Sequence, residues 1–396
     1  MFGVRDRIAE VSDERERPQI AMEVILSMGL IMSLGRMGSL NAAEQVVIAG
    51  YARRWVGGRK LPSADTMGRG FSQKGNRFFR RTIRHIYERL KRNKALRPAH
   101  GGLFALIVDG HEQHSSRLRC CPGCLERTIH TNKGDVKEYY HRGVTGVLLC
   151  HGFCLPLDME LQLPGEDEVA CAMRLLARLF KEYPRAFKLI LADGLYARAP
   201  FFKLARKHGK HVIAVLKDDR RDLLKDAYGL FKGQRPKVYQ YGPLTRECWD
   251  IEHFTSWDTL GSEARVVRSV ERRQVRRQKT GKINFEVSEW VWVSTIPQAE
   301  LSTEMFIKFG HDRWKIENNG FNELVNEWHA DHLYRHDPAA MEAFWLLTML
   351  AYILFHAFIE RNLKTAFRSR HTKRHLAQMI TAEIYSLVDL AASLPP

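Results

Sequence analysis

Two short apolar runs, Leu103–Val108 and Phe187–Ala192, each stop at an Asp-Gly pair, Asp109-Gly110 and Asp193-Gly194. Runs this short cannot bury one face of a helix, so each reads as a buried strand with a carboxylate at its C-terminal end. Gly143–Cys150 and Phe153–Leu161 add two strands, with a turn at His151-Gly152. Glu166–Lys181 has helical spacing, Pro200–His208 is a short helix, and His211–Leu216 is a fifth strand. The first three strands suit an antiparallel meander, and the later ones join through helical crossovers. The expected class is α/β, a mixed sheet with flanking helices.

The segments around this core differ in period. Residues 1–100 read as helical, with an apolar stretch from Pro18 to Leu34 and helix starts at Ser39–Glu44 and Pro62–Thr66. Lys74–Arg97 holds ten Lys/Arg and one acid, Glu88, with Phe78, Phe79, Ile83, Ile86, Tyr87 and Leu90 at three- and four-residue spacing. That is one amphipathic basic helix. A solvated charged face is the ordinary explanation. Acids to pair with are so scarce that nucleic-acid contact through Arg80, Arg81 and Arg84 is the preferred one.

From Lys237 to Thr295 the pattern is β-like. It contains a second basic run, Arg265–Lys282, with eight Lys/Arg and one acid, Glu271, where Arg272 and Arg276 are candidate DNA contacts. After Pro297 the helical period returns, as a long helix over Thr303–Trp328 and a very apolar one over Pro338–Asn362. The expected division is a helical DNA-binding region at 1–100, a core at 101–217, a β-rich insertion at 218–298, the rest of the core at 299–360 and a basic helical tail at 361–396.

The chain has 62 Lys+Arg against 45 Asp+Glu, a net charge of +17. That balance favours an anionic polymer or an anionic membrane surface over a neutral small molecule. The longest apolar run, Phe344–Phe358, falls short of the roughly 20 residues a membrane span needs. Met1–Arg17 lacks the apolar centre of a signal peptide. Seven cysteines argue against a disulfide framework. A reducing cytoplasm, double-stranded DNA as partner, no membrane and no small-molecule substrate are expected.

If the two Asp-Gly strands are parallel neighbours, Asp109 and Asp193 meet at one sheet edge, where open sheets gather chemistry. Close carboxylates repel unless a cation sits between them, and oxygen ligands suit Mg²⁺ or Mn²⁺. Glu317, four residues beyond Arg313 on the next helix, offers a third ligand. Two ions so held would activate a water and stabilise the leaving oxygen of a phosphodiester. Taken singly, an Asp-Gly is usually a turn and an Arg/Glu pair usually a surface ion pair. Asp135 and Asp158 are rivals for the first acid but lack the strand-end placement.

The order strand-Asp109, meander, helix, strand-Asp193, helix, strand, β-insertion, helix-Glu317 resembles the RNase H-like core of DDE transposases, over about residues 100–360. The β-insertion resembles that of the cut-and-paste bacterial insertion-sequence group. Leu191-Ala-Asp-Gly-Leu-Tyr196 is similar to the group's second-Asp segment, and Arg313–Asn322 to its Glu helix. The group's signature is Tyr, two residues, Arg, three residues, Glu, six residues, Lys. Arg313 and Glu317 match it, whereas Gly310 and Leu324 stand at the Tyr and Lys positions. The resemblance implies Asp109, Asp193 and Glu317 as Mg²⁺ ligands and Arg313 as a phosphate contact near the scissile bond. It further implies strand cleavage by water, then attack of the freed 3′-OH on target DNA, in an assembly at least dimeric and associated with the nucleoid. A catalytically inactive, transposase-derived DNA-binding protein and a nuclease that only hydrolyses are the alternatives.

The segment from Gly110 to His141 is long for a connection between meander strands. It holds His111, His114, Cys120, Cys121, Cys124, His130 and His141. Cys121-Pro-Gly-Cys124 has the spacing of half a zinc site, which a His pair could complete, against the alternative of reduced cysteines in an apolar cluster. Cys150 and Cys154 read as core. His329, His332 and His336 read as a solvated or phosphate-contacting segment, with a second metal site as the alternative. A Cys/His nucleophile has no supporting spacing. Trp290 and Trp292 read as strand packing, with stacking on an unpaired base as the lesser alternative.

Overall fold

The structure, a computed structural model, describes residues 2–13, 15–51, 53–100, 102–217, 221–276, 281, 283–314 and 322–386. Its strands are β1 (Ala105–Ser116), β2 (Leu125–Thr131), β3 (Gly134–Leu149), β4 (Cys154–Leu161), β5 (Leu189–Ala192), β6 (His211–Val215), β7 (Lys237–Tyr241), β8 (Leu244–Phe254), β9 (Ala264–Arg276) and β10 (Ile283–Ser294). Helices α1 (Val4–Ala9), α2 (Met22–Leu34), α3 (Leu40–Ile48) and α4 (Ala64–Arg92) precede them. Helices α5 (Glu168–Glu182), α6 (Ala199–Lys207) and α7 (Arg221–Lys232) lie between strands. Helices α8 (Thr303–Asp312), α9 (Asn322–Trp328), α10 (Pro338–Asn362), α11 (Thr365–Arg368) and α12 (Lys373–Ser386) follow.

Among the described residues all ten strands join one sheet, in the order β2-β3-β1-β5-β6-β10-β9-β8-β7, with β4 also on β3. The meander is present: β1 pairs β3, and β3 pairs β4, both antiparallel. The strands joined by crossovers, β1, β5 and β6, are parallel. Fully apolar β5 is buried along its whole length, as a central parallel strand must be.

One expectation changes, and two others gain detail. Segment 110–141 is not a structureless loop. β1 runs on to Ser116, and β2 and β3 form a hairpin, because β3 is 16 residues long and pairs with β1 far beyond Asp109. The β-rich insertion is continuous with the core: β10 pairs antiparallel with β6, so β7–β10 extend the core sheet, and α7 stands before them. The long helix expected over Thr303–Trp328 is described as α8 and α9, with 315–321 outside the described residues.

The helices of residues 1–100 share a core with the rest of the chain. The two basic and capped segments of the sequence merge into one 29-residue helix, α4, whose N-cap Ser63 accepts the Thr66 N–H. Phe71, Phe79, Ile83, Ile86 and Leu90 of α4 are buried, and the helix packs on α10 and reaches β4. α10 is long and apolar enough to cross a membrane, but it is buried inside the protein against α4, α2 and β4. An ion-pair network ties these layers together. Asp158 of β4 accepts from Arg80 of α4 at 2.8 Å and from Arg178 of α5 at 2.5 Å. Arg80 also pairs with Glu342 of α10, and Glu160 pairs with Arg174 and Arg178.

Candidate active site

On the parallel neighbours β1 and β5, Ala105 lies opposite Leu189 and Ile107 opposite Leu191. Continued for two residues, this register sets Asp109 level with Asp193. The two strands then part. β5 stops at Ala192, and Asp193 caps a 3-10 turn, Gly194–Tyr196, by accepting the Leu195 N–H at 2.8 Å. β1 continues, and Asp109 stays paired with Thr145 of β3. One acid is thus held within a ladder, and its neighbour sits where the ladder opens.

Asp109 is 9% exposed. Its Oδ1 accepts the Gly110 N–H at 3.0 Å, and its Oδ2 lies 3.5 Å from Nη1 of Arg313. Arg313, at the C-terminal end of α8, is buried and lies over the Trp314 ring. The i, i+2 alternation of β1 separates the two faces. Gly110 faces α5, where an added Cβ would fall 2.4 Å from the Glu168 carboxyl, while Asp109 meets Arg313 beyond α8.

Glu168 adds a carboxylate that sequence reasoning missed. It is buried in the first turn of α5, accepts the Tyr196 hydroxyl at 2.6 Å and pairs with Arg142 at 2.6 Å. Burial pushes the Tyr196 phenol well above its ordinary pKa, and the Glu168, Asp109 and Asp193 charges add to the effect. Tyr196 is therefore a neutral hydrogen-bond donor beneath these acids. Lys217, just past β6, lays its aliphatic stem over Gly194, where an added Cβ would fall 2.7 Å from Cδ. Gly110 thus serves the close approach of Glu168 within a continuing strand, whereas Gly194 opens the 3-10 turn that Asp193 caps.

The family model of the transposase DDE domain matches residues 107–354. The chain belongs to the DDE transposase family. A search of curated proteins gives no match. The mixed sheet with flanking helices is the RNase H-like transposase fold, and the match spans the sheet from β1 to α10.

Within this transposase, Glu317 lies outside the described residues, between Trp314 and Asn322. The two signature departures have local causes. Gly310 abuts the buried Trp292 indole, and an added Cβ would fall 2.6 Å from it, so no larger residue fits. Leu324 of α9 is 1% exposed and part of the core. The rivals for the first acid sit elsewhere: Asp158 in the arginine network, and Asp135 exposed on the β2–β3 hairpin beside His130.

The basic candidates divide. Arg80 is partly buried and pairs with Asp158 and Glu342 at the floor of a cleft that it lines with Arg77, Arg81 and Arg84. Arg84 pairs with Glu88 and Glu182. Arg81 is exposed and borders a cleft along α4 with Arg7, Arg77 and Arg84. Arg272 pairs with Glu247, and Arg276 donates to the Gly281 carbonyl. Cross-strand register puts both on one face of the β9–β10 hairpin with Ile283, Phe285 and Val287, all exposed. Trp292 is buried with Trp290 stacked on it, as strand packing requires. Cys150 and Cys154 are buried in the core. Cys121 and Cys124 lie with His141 and His336 in a compact cluster, away from the two Asp-bearing strand positions along β1 and β5.

Proposed function

We propose that the protein cuts the DNA ends of its own genetic element and joins them to target DNA, with Mg²⁺ or Mn²⁺ held by Asp109, Asp193 and Glu317. The observation that carries this reading is the level placement of Asp109 and Asp193 on parallel neighbours at the point where the sheet opens. Their oxygen-only donor set fits a hard divalent cation. Such ions supply a nucleophilic water and charge stabilisation at the leaving oxygen when bound.

The remaining work falls to this chain's own side chains. Arg313, which approaches Asp109 at 3.5 Å, binds a phosphate beside the scissile bond in this reading, with a planar, permanently charged group. Its charge also offsets part of the repulsion between two close acids. Tyr196 and Arg142 fix Glu168, and the packing of Glu168 on Gly110 fixes the backbone that carries Asp109. Lys217, exposed beside Asp193-Gly194, is a further phosphate contact. Arg81 on α4 and the Arg272/Arg276 face of the β9–β10 hairpin supply backbone contacts along the duplex. Joining two ends requires two copies in the DNA complex, and the protein acts on DNA in the cytoplasm.

The test uses DNA carrying the ends of the element that encodes the protein, incubated with Mg²⁺ and wild-type or Asp193→Asn protein. Cut and joined strands with wild type alone are expected. Binding without any metal-dependent product indicates the inactive DNA-binding alternative, and nicks without joined strands indicate a nuclease.

A further inference from the structure

We infer that Cys121, Cys124, His141 and His336 bind one zinc ion that staples the β2–β3 hairpin to the start of α10. The four come from three separate parts of the chain. Cys121 and Cys124 sit in the turn before β2, His141 in β3, and His336 just before the N-cap Asp337 of α10. Their ligand atoms all lie within 4.8 Å of one another.

The spacings are those of a tetrahedral centre. The two Sγ atoms are 3.7 Å apart, Cys121 Sγ is 3.4 Å from His141 Nε2, and Cys124 Sγ is 3.2 Å from His141 Nε2 and 3.3 Å from His336 Nε2. Zn–S bonds of about 2.3 Å and Zn–N bonds of about 2.0 Å at tetrahedral angles require about 3.8 Å between sulfurs and about 3.5 Å between sulfur and nitrogen. A disulfide would need sulfurs at about 2.05 Å. Two thiolates and two imidazoles suit zinc and suit neither Mg²⁺ nor Ca²⁺.

The backbone supports the same reading. The Cys124 N–H donates to the Cys121 carbonyl at 3.0 Å, and the Cys121 N–H donates to Cys124 Sγ at 3.2 Å, which closes the turn and aims both sulfurs inward. Gly123 lets this turn reach α10, since an added Cβ would fall 2.6 Å from Pro338 Cγ. A cleft bordered by Cys121, Cys124, Gln162 and Glu166 gives an ion access.

The hairpin has a physical need for such a staple. Of β2 only Leu125 is buried, so the hairpin gains little from apolar packing. A metal joining it to α10 replaces that missing core. The zinc site rests on its own geometry and does not depend on the transposition reading.

The test is metal analysis of full-length protein purified without chelator, with cobalt substitution of the same protein. About one zinc per chain is expected. Cobalt should give the intense visible bands of a tetrahedral site with thiolate charge transfer. His336→Asn lies outside the sheet and should fold while losing most of the zinc and altering the cobalt spectrum. Cys120→Ser, one residue from the cluster but outside it, should keep both. Chelation should lower the thermal midpoint by about 5 °C or more. Wild-type protein with neither zinc nor a tetrahedral cobalt spectrum would overturn the inference. So would full zinc retention in His336→Asn, or a Cys121–Cys124 disulfide in the purified protein.

Discussion

Asp158 and Asp109 are both buried acids of one sheet, and their surroundings differ. Asp158 on β4 has guanidinium nitrogens at 2.8 and 2.5 Å from Arg80 and Arg178, and Glu160 beside it shares Arg174 and Arg178. Asp109 on β1 meets Arg313 at the looser distance of 3.5 Å, and Asp193 follows directly on the neighbouring strand β5. The first cluster is locked by short contacts to arginines of two helices and ties layers together. The second lies where β1 and β5 part, the edge of the sheet that we propose as the reacting site. Burial alone does not separate the two roles. The place on the sheet does.

The sharpest break of this comparison is Asp158→Asn. It leaves two inward guanidinium groups short of a carboxylate and should cost about 3 kcal/mol of stability, read from chemical denaturation. The folded fraction should still cut DNA. An unchanged midpoint would place Asp158 outside the structural class. Gly110→Ala comes next: its Cβ would drive into Glu168, and a loss of about 2 kcal/mol is expected by the same method. If the variant is as stable as wild type, the contact between Glu168 and the Asp109 strand is not tight.

His111, two residues past Asp109, sharpens the comparison by pH. It stacks on Trp345, its ring nitrogens are shielded from solvent, and burial, with the Arg142 charge adding to it, pushes its pKa down to about 3. The folded state therefore resists protonation that the unfolded chain accepts below about pH 6.5. Stability is fully present above that pH and falls as the pH drops toward 3, by about 2 kcal/mol at pH 5. His111→Phe should remove that part of the slope. An identical slope in the variant would assign it to other groups. The smallest effect is on the surface. Arg272→Ala and Arg276→Ala should leave the thermal midpoint in place and each lower the salt slope of DNA binding by about 1. An unaltered slope would take the hairpin face out of the DNA path.

How much of this was legible in the sequence follows from where each signal resides. The strand positions of Asp109 and Asp193 show because a buried parallel strand is a local apolar run. The continuation of β1 past Gly110 is hidden, since its residues are polar and the buried one among them is Gln113 rather than an apolar side chain. Sheet order is hidden too: nothing local in Trp292–Ser294 says that β10 pairs with β6. Arg80 and Arg81 are adjacent in a basic run, and only the packing of α4 on α10 decides that one is half-buried in ion pairs and the other exposed. The half-site Cys121/Cys124 is legible by spacing. His336, more than 200 residues away, joins it only through the fold. Glu168 carried no motif, though it follows the capping Asp167 that starts its helix, and nothing local joins it to Tyr196 of the second-Asp segment.

The central claim is that Asp109 belongs to the reacting site and Asp158 does not. The most direct measurement is cleavage of element-end DNA in Mg²⁺ and in Mn²⁺ by Asp109→Asn beside Asp158→Asn, each at a concentration corrected for folded protein. The account predicts that Asp109→Asn still binds the DNA but forms no product with either ion, while folded Asp158→Asn cuts at close to the wild-type rate. Cleavage by Asp109→Asn at the wild-type rate would contradict it.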